Sequence, residues 1–394
     1  MSAIYLNELG VVCALGADKQ VVTEALFASD TPRGVAMSER WTPGRPHALG
    51  ACDQTLAGLD ALPVELRSRN NALLRLALDA MRPAADRAID VYGAARVAIV
   101  LGTSTSGIAE SERAHRFLAG NHHWPDDFHY AQQELGNPAR FLARELGTCG
   151  PAHVISTACS SSAKAIASGA RLLQAGLADA VIAGGADSLC AFTIAGFQSL
   201  EAVSTARCNP FSANRCGINI GEGAALFLMT REPGAVRLAG TGESADAHHM
   251  SAPDPSGRGA LQAIAQALDR ARLAPGDIDY INLHGTATLQ NDAMESAVVA
   301  GLFGDAVPCS SSKPLTGHTL GAAGAIEAAL CWLTLANNPQ QRLPPHWWDG
   351  QADPALRPLH LVCPGEIAGR SLRYLLSQSF AFGGSNAALI FGVD

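Results

Sequence analysis

The sequence predicts an α/β fold in which parallel strands alternate with helices, because one local pattern occurs three times among its 394 residues. The pattern is a run of β-branched residues, a turn rich in Gly, Ser or Thr, and then a helical stretch. Alternating strands and helices are typical of parallel sheets, in which ligands bind where the strands end. We therefore expect functional residues in the three turns. The occurrences are RVAIVL–GTSTSG from residue 96, HVIS–TACSSS from residue 153 and DYINL–HGTAT from residue 279.

The segment after the second turn is predicted to be a helix followed by the next strand. Apolar residues recur with a helical period between Ala163 and Leu173, Gly176 ends the helix, and DAVIAGG at 179–185 forms the strand. Further along the chain, the charged Pro-Gly turn at 231–237 separates two apolar runs and marks a boundary between two halves. The two predicted domains are residues 1–232 and 233–394.

The composition indicates a globular protein with a large core. Hydrophobic residues make up 48% of the chain and charged residues 16%, which is too apolar for a disordered chain. The formal net charge of −8 argues against a nucleic-acid-binding surface. The sequence contains no run of about 18 apolar residues, so no membrane-spanning helix is predicted. The ten cysteines are scattered without a C-x-x-C pair, which predicts free thiols in a reducing cytoplasm rather than disulfides or a zinc site.

Cys159 is the first candidate catalytic residue because it lies at the predicted start of a helix. Unsatisfied N–H groups and positive partial charge at a helix N-terminus predict a lowered thiol pKa and a more available thiolate. The same N–H groups can hold an oxyanion. A cysteine at such a position, taken alone, is more often a buried residue that fills a small gap. The assignment therefore depends on partners elsewhere in the sequence.

Two histidines and a lysine supply such partners. His284 follows the predicted strand at 279–283, and His318 follows a strand-like run at 307–310. Lys313 is one of three lysines among 28 Lys and Arg residues, and an ammonium group does a different job from a guanidinium group. Each of these residues alone could be structural. Together with the cysteine, they form a nucleophile with groups that transfer protons or stabilise an anion.

Seven segments occur along the chain in a fixed order, and the ordered set is far more specific to one protein family than any single segment is. They are ELGVVCALG, LGNPARFLARELGTCGPAHVISTACSSS, NPFSANRCGINIGEGAALFLM, DAHHMSAPDP, LHGTAT, KPLTGHTLGAAGAIEA and SFAFGGSNAALIF. In this order they resemble the β-ketoacyl-[acyl-carrier-protein] synthases of the elongating, Cys-His-His type. The resemblance implies the thiolase-like fold, in which two similar βαβαβαββ halves form five layers, αβαβα.

The resemblance also implies a reaction, the decarboxylative Claisen condensation of an acyl group with malonyl-acyl-carrier protein to give a β-ketoacyl-acyl-carrier protein. By position, Cys159 would hold the acyl group as a thioester. His284 and His318 would polarise the malonyl thioester carbonyl and promote loss of carbon dioxide, because donors in a dry pocket stabilise the developing charge. Lys313 would orient His318 and add positive potential, and Glu327 matches a structural carboxylate behind the site.

Further residues would bind the substrates. Phe382 in FAFGG would offer its backbone N–H to the oxyanion hole beside that of the nucleophile, and its ring would gate the pocket. Thr286 and Thr288 would hydrogen-bond the phosphopantetheine arm of the carrier, so neither a separate cofactor nor a metal is expected. A basic patch would speed the encounter with the acidic carrier protein, although ordinary solvated arginines are an equal alternative. The candidates for this patch are Arg67, Arg69 and Arg207.

Other classes of protein remain as alternatives. A non-catalytic chain-length partner subunit keeps the fold but usually loses the nucleophile, which is present here. A thiolase acting on coenzyme A would carry a second catalytic cysteine in a C-x-G motif near the C-terminus, whereas FAFGGSNAALIFGVD contains none. A metal site would need closer ligand spacing than this sequence offers, and the G-x-S-x-G motif of serine hydrolases is absent.

Small departures from the family pattern bear on the pathway. Cys216 stands where the family usually has Asp, Ser212 replaces a common acidic residue, and Ala381 stands where Gly is usual. These departures favour a specialised polyene or polyketide-type pathway over housekeeping fatty-acid synthesis. The expected assembly is a cytoplasmic homodimer, or a heterodimer with a ketosynthase-like subunit, without nucleic acid or membrane.

Overall fold

The structure, a computed structural model, describes residues 3–336 and 338–393. The elements of the first half are β1 (Tyr5–Val12), α1 (Lys19–Leu26), β2 (Ala36–Ser38), β3 (His47–Leu49), α2 (Arg69–Tyr92), β4 (Val97–Gly102), α3 (Ile108–Asn121), α4 (Asn137–Leu146), β5 (Ala152–Ile155), α5 (Ser161–Gln174), β6 (Ala180–Asp187), α6 (Ala191–Ser199) and β7 (Gly223–Thr230). Those of the second half are β8 (Val236–Ala245), α7 (Arg258–Ala271), β9 (Tyr280–Asn282), α8 (Leu289–Phe303), β10 (Pro308–Ser310), α9 (Lys313–Thr316), α10 (Ala323–Ala336), β11 (His360–Leu361), β12 (Tyr374–Ala381) and β13 (Ser385–Gly392).

The same strand order occurs in both halves. Eleven strands are joined in the order β11-β10-β9-β12-β13-β8-β1-β7-β6-β4-β5, and a two-residue pairing of β1 with β8 joins the halves within this sheet. We number the five main strands of each half by their order in the chain. From the outer side of the sheet to the junction of the halves, they then lie in the order 3-2-4-5-1, which is β5-β4-β6-β7-β1 in the first half and β10-β9-β12-β13-β8 in the second. The pairs β4–β5, β4–β6, β9–β10 and β9–β12 are parallel, whereas the strands nearer the junction pair antiparallel. The prediction of two similar βαβαβαββ halves is confirmed, with the correction that each half mixes parallel and antiparallel pairs.

Three buried clusters define five layers of helices and sheets. Helices α2 and α4 cover the outer face of the first half, and α7 and α8 cover the outer face of the second half. Helices α5 and α10 lie between the two halves in a cluster that takes side chains from both. A Cβ on Gly324 of α10 would lie 2.7 Å from the Cβ of Ala163 in α5, so small residues permit the close central packing.

The strand ends bring the candidate residues to one place. Strand β5 leads to Cys159, β9 to His284, β10 to Lys313 and His318, and β12 to Phe382. The strands and helices predicted around these turns are confirmed to within about two residues at each end. The boundary between residues 232 and 233 stays a prediction, and it lies in the connection between β7 and β8. Within residues 3–336 and 338–393, no helix combines the length and apolar composition needed to cross a membrane.

Candidate active site

The turn that carries Cys159 is held in a strained conformation. Cys159 is 6% exposed and lies between β5 and α5. Ala158, directly before it, has a φ of +51°, in the left-handed region that residues with a Cβ seldom adopt. Ser161 stabilises this conformation, because its hydroxyl accepts a hydrogen bond from Thr157 N–H at 2.9 Å and donates one to the Ala158 carbonyl at 2.6 Å.

The two predicted histidines converge on this sulfur. Nε2 of His318 lies 3.0 Å from Sγ of Cys159. The rings of His284 and His318 are 5.4 Å apart between centroids and nearly perpendicular, at 82°. One ligand atom from each of the three residues lies within 4.8 Å of the others. The structure therefore assembles Cys159, His284 and His318 from three different strand ends, as the sequence analysis expected.

Both histidines are neutral near neutral pH. Burial lowers the pKa of His284 well below its ordinary value, the positive charge of Lys313 lowers it further, and protonation of His318 would act in the same direction. Burial and the charge of Lys313 lower the pKa of His318 in the same way. A neutral imidazole has one N–H donor and one acceptor nitrogen. The pair can therefore donate hydrogen bonds to a developing negative charge, and either ring can accept a proton.

The thiol of Cys159 differs from the sequence-based expectation. Burial raises its pKa to about 11, although the charge of Lys313 and the backbone N–H of Phe382 both oppose this shift. The expectation of a lowered pKa was wrong, because the sequence places the cysteine at a helix start but does not show how completely the fold buries it. The resting residue is a thiol, and Nε2 of His318 is the group in position to accept its proton.

This raised pKa predicts the pH dependence of alkylation by iodoacetamide. Because the thiolate is the reactive form, the rate at Cys159 is expected to rise about tenfold per pH unit from pH 7 to pH 10. The measurement is the second-order rate constant for the Cys159 peptide, followed by mass spectrometry at each pH. A rate that levels off below about pH 8 would instead support a thiolate stabilised by the helix N-terminus.

Lys313 and Glu327 form a buried ion pair beside the histidines. Nζ of Lys313 lies 2.5 Å from Oε1 of Glu327, and the two side chains are 2% and 3% exposed. Burial raises the pKa of Glu327 to about 7, and Lys313 opposes the rise. Lys313 acts on the histidines and on Cys159 through its charge. This places Glu327 behind the site and holds the ammonium group of Lys313 in a fixed position.

Removal of one partner from this pair is expected to destabilise the protein strongly. In Lys313→Met, Glu327 would remain buried without its cation, and the free energy of unfolding should fall by about 3–5 kcal/mol. Urea denaturation measures this value, and Lys313→Met/Glu327→Met should recover much of the loss. The matched control is Lys19→Met, since the Lys19–Glu8 pair is partly exposed and should contribute about 0–1 kcal/mol. Equal losses for both lysines would contradict the prediction.

Glu295 is a buried carboxylate that the sequence analysis did not identify. It accepts hydrogen bonds from the backbone N–H groups of His284 at 2.6 Å and Gly285 at 2.7 Å. Side-chain amides of Gln378 and Asn291 also donate to it, at 2.7 Å and 3.0 Å. Glu295 therefore fixes the turn from which His284 projects. Its position eleven residues after His284, on the helix that follows the turn, is the signal that could have indicated it.

Asp187 holds the first of the three predicted turns, GTSTSG, in place. Its carboxylate accepts hydrogen bonds from the hydroxyls of Thr103, Ser104 and Thr105, and from Gly321 N–H at 2.6 Å. The GTSTSG turn is thereby joined to the segment that follows His318. The functional residues expected in this turn have a positioning role, because their hydroxyls hold two parts of the site together.

A cavity of about 640 Å³ connects the three residues to the surface. Thr286 and Thr288 line it, and their hydroxyl oxygens are 3.0 Å apart. Phe382 also lines it, with its ring 5.8 Å from that of Phe197 in α6. Cys216 also lines it, with its sulfur 3.3 Å from the hydroxyl of Ser204. The cavity is therefore lined by threonine hydroxyls together with apolar side chains that include Phe197, Phe380 and Phe382.

The three arginines proposed for a carrier-protein patch are engaged within the protein. Arg69 forms an ion pair with the buried Glu222 at 2.5 Å. Arg207 donates to the backbone carbonyls of Val35 and Pro314, and Nε of Arg67 donates to the carbonyl of Leu62 at 2.7 Å. These contacts argue against a patch of free cations at these positions, because the guanidinium groups are used to hold loops. Carrier binding at these residues stays a prediction.

The convergence of one sulfur and two imidazoles also has a consequence for metal binding. Cysteine and histidine are zinc ligands, and the three ligand atoms lie within 4.8 Å of one another. The wide spacing of these three residues along the chain is therefore no argument against a metal site, because the fold brings their ligand atoms together. The expectation of a metal-free site stays a prediction.

Comparisons with known proteins agree with this geometry. The models "Beta-ketoacyl synthase, N-terminal domain" and "Beta-ketoacyl synthase, C-terminal domain" match residues 68–235 and 235–346. The chain is 38% identical over 260 residues to "3-oxoacyl-[acyl-carrier-protein] synthase 2" of Rhizobium meliloti (strain 1021), a match that covers 61% of this chain and 60% of that relative. The matches to this relative and to those of Staphylococcus aureus thus span about 60% of the relatives' length.

Solved structures extend the similarity over the full length. The ketosynthase ApeO in complex with its chain length factor ApeC, from Xenorhabdus doucetiae, gives a TM-score of 0.94 and 46% identity, covering 100% of this chain and 98% of that chain. The ishigamide ketosynthase/chain length factor gives a TM-score of 0.84 and 25% identity, covering 100% of this chain and 99% of that chain. With its thiolase-like fold and its cysteine and two histidines in one cavity, the chain belongs to the β-ketoacyl synthase family.

Proposed function

We propose that the chain elongates acyl groups by condensing an acyl thioester on Cys159 with malonyl-acyl-carrier protein, releasing carbon dioxide. The observation that carries this proposal is the convergence of Cys159, His284 and His318 in the lining of a cavity of about 640 Å³. A nucleophile with two neutral imidazoles is the set of groups that this reaction requires. Family membership and the curated relatives support the same reaction class.

The first half-reaction is acyl transfer to the sulfur. Sγ of Cys159 attacks the carbonyl of the incoming carrier thioester while Nε2 of His318, 3.0 Å away, accepts the thiol proton. The oxyanion that develops would be held by the backbone N–H groups of Cys159 and Phe382, the second of which is close enough to affect the pKa of the thiol. The carbon–sulfur bond to the carrier then breaks, and its thiol leaves with the proton.

The second half-reaction forms the new carbon–carbon bond. Malonyl-acyl-carrier protein loses carbon dioxide, and the electron pair of the broken bond gives an enolate whose oxygen accepts hydrogen bonds from His284 and His318. The enolate carbon attacks the thioester on Cys159, and the bond from carbonyl carbon to Sγ breaks. The thiolate of Cys159 then takes a proton from solvent, and the β-ketoacyl-acyl-carrier protein and carbon dioxide leave. Neutral histidines suit this step, because the negative charge in it is stabilised by hydrogen bonds.

The substrates and partners follow from the same proposal. Thr286 and Thr288 would hydrogen-bond the phosphopantetheine arm, on which both substrates arrive, so the reaction needs no separate cofactor. Structures that pair ketosynthases with chain length factors support a heterodimer with a related subunit, and a homodimer is the alternative. They also favour a polyketide-type or polyene pathway over primary fatty-acid synthesis. The ten free thiols fit a location in the cytoplasm.

The competing classes are less well supported by the site. A chain-length subunit without catalysis would not need the strained turn that presents Cys159, nor a histidine 3.0 Å from its sulfur. A thiolase acting on coenzyme A would require a second catalytic cysteine in a C-x-G motif near the C-terminus, but Cys363, which lies in such a sequence, is exposed and absent from the lining of the cavity that contains Cys159. The assembled Cys-His-His site therefore favours the catalytic subunit of a condensing enzyme.

The test combines acylation with elongation. The protein is incubated with a panel of acyl-carrier proteins that differ in chain length, and the mass of the peptide containing Cys159 is measured. Malonyl-acyl-carrier protein is then added, and the product is analysed for a chain lengthened by two carbons. Acylation at Cys159 followed by elongation would support the proposal. Elongation without any acyl group on Cys159 would contradict it.

A further inference from the structure

His346 is a buried histidine behind the cavity that contains Cys159. Its side chain is buried, and it is absent from the cavity lining. Both ring nitrogens have partners, because Nδ1 accepts the backbone N–H of Ser311 at 3.1 Å and Nε2 lies 3.0 Å from the carbonyl oxygen of Pro210. A backbone N–H only donates and a carbonyl oxygen only accepts. The two contacts therefore fix one tautomer, with the hydrogen on Nε2.

The imidazole of His346 is an uncharged connector held in one orientation. Burial lowers its pKa to about 4, although the hydrogen bond to Pro210 opposes the shift, so the ring is neutral near pH 7. The rings of Phe211 and Trp348 lie beside it, with centroids at 6.0 Å and 5.8 Å. The backbone N–H of His346 donates separately to the carbonyl of Val362, at 2.8 Å. The main chain at this position therefore has a support that does not depend on the side chain.

The contact at Nδ1 leads to the turn of His284 and to Lys313. The hydroxyl of Ser311 donates to the carbonyl of Gly285, the residue after His284, at 2.7 Å. The same hydroxyl accepts the N–H of Lys313 at 3.3 Å. A Cβ on Gly285 would lie 2.5 Å from the Cβ of Ser311, so the two backbones pack closely. A shift of Ser311 would therefore displace the turn from which His284 projects.

The contact at Nε2 leads to a segment of the cavity wall. Pro210 begins the stretch that reaches the cavity lining at residues 215–218. The next residue, Phe211, donates its N–H to Oδ2 of Asp292 at 2.7 Å, on the helix that follows the turn of His284. The imidazole of His346 thus joins two segments that both contact the surroundings of His284.

The other histidine of the site has separate supports. The N–H of His318 donates to the carbonyl of Asn219 at 2.6 Å, and its carbonyl accepts the N–H of Gly221 at 2.9 Å. Neither of these contacts involves His346 or Ser311. Loss of the His346 imidazole is therefore expected to affect His284 more than it affects His318.

We propose that His346 is a positioning residue for the decarboxylation step, which holds the turn of His284 in place through Ser311. This inference rests on the proposed function, because the hydrogen bond from His284 to the enolate belongs to it. His346 itself touches no substrate. Small displacements of a donor weaken the stabilisation of an oxyanion, so its loss should slow carbon dioxide release selectively, whereas a general loss of structure would slow both half-reactions.

The experiment measures two rates on the same protein preparations. They are carbon dioxide release from radiolabelled malonyl-acyl-carrier protein and acylation of Cys159 by an octanoyl-acyl-carrier protein, and their ratio is reported. In His346→Leu the ratio is expected to fall about tenfold. His346→Asn should recover most of this loss, because the amide oxygen can take the place of Nδ1 and accept the N–H of Ser311. His346→Gln should recover less, since its amide lies further from the backbone.

A second histidine provides the control, and a double variant tests the route. His360 in β11 pairs with Glu366 at 2.7 Å and is absent from the cavity lining, so His360→Leu should leave the ratio within about twofold of the wild-type value. Ser311→Ala should lower the ratio as His346→Leu does. His346→Leu/Ser311→Ala should be little worse than the more impaired single variant, because the two residues act in series.

Each other outcome has a defined meaning. An unchanged ratio in a folded His346→Leu, or equal losses of both rates, would overturn the proposal. Equal ratios in His346→Asn and His346→Gln would also overturn it, and this comparison decides the matter if urea denaturation shows His346→Leu to be unfolded. Failure of the wild type to acylate Cys159 and to release carbon dioxide would instead overturn the proposed function, and the role of His346 with it.

Discussion

Replacement of Cys159 by alanine is expected to abolish the acyl-enzyme and to lower the rate of chain elongation by ~10³-fold or more. The reason is geometric, because Sγ of Cys159 is the nucleophile in contact with His318, at 3.0 Å. No hydroxyl or second thiol is described within hydrogen-bonding distance of that imidazole. The measurements are the mass of the peptide that contains residue 159 and the rate of formation of the two-carbon-longer product.

A second buried cysteine provides the matched control. Burial raises the pKa of Cys13 to about 11, as it does for Cys159, but Cys13 is absent from the cavity lining. Cys13→Ala should retain acylation and elongation, provided that urea denaturation shows the variant to be folded. If Cys159→Ala is folded and elongates at the wild-type rate, the assignment of the nucleophile is wrong.

The residues that sequence alone could identify share a physical property. Cys159 and His284 follow the short strands β5 and β9, and His318 follows β10 and α9, with small residues beside each of them, so local pattern marks these positions. The sheet then brings these positions together, because the two halves have the same strand order. The family resemblance added the roles, but local pattern and sheet geometry already predicted the place.

The features that sequence could not provide depend on contacts between distant segments. The pKa of Cys159 is set mainly by its burial, and burial results from the packing of both halves around α5. Arg69 would be an ordinary surface arginine if Glu222, 153 residues further along the chain, did not pair with it. Glu295 and Asp187 bind backbone N–H groups of turns, and this use of a carboxylate leaves no periodic pattern in the sequence. Buried charge is therefore the property that a one-dimensional analysis of this chain misses.

The two half-reactions should be separable by substitution of the histidines. His284→Ala is expected to lower the release of carbon dioxide from malonyl-acyl-carrier protein by about 10²–10³-fold, the usual cost of one lost donor to an oxyanion. Acylation of Cys159 should be affected much less, because the imidazole that contacts the sulfur belongs to His318. His318→Ala should impair both half-reactions, since that ring both accepts the thiol proton and donates to the enolate.

The control for this prediction is the variant that lacks the nucleophile. Cys159→Ala keeps both histidines and Lys313, so it should still release carbon dioxide from malonyl-acyl-carrier protein although it cannot form an acyl-enzyme. Because Glu295 holds the turn of His284 through two backbone N–H groups, Glu295→Gln should lower carbon dioxide release more than it lowers acylation. Radiolabelled carbon dioxide and the acyl-enzyme mass measure the two steps independently. If His284→Ala lost both steps equally, the two histidines would act as one unit, and the division of roles derived from the 3.0 Å contact would fail.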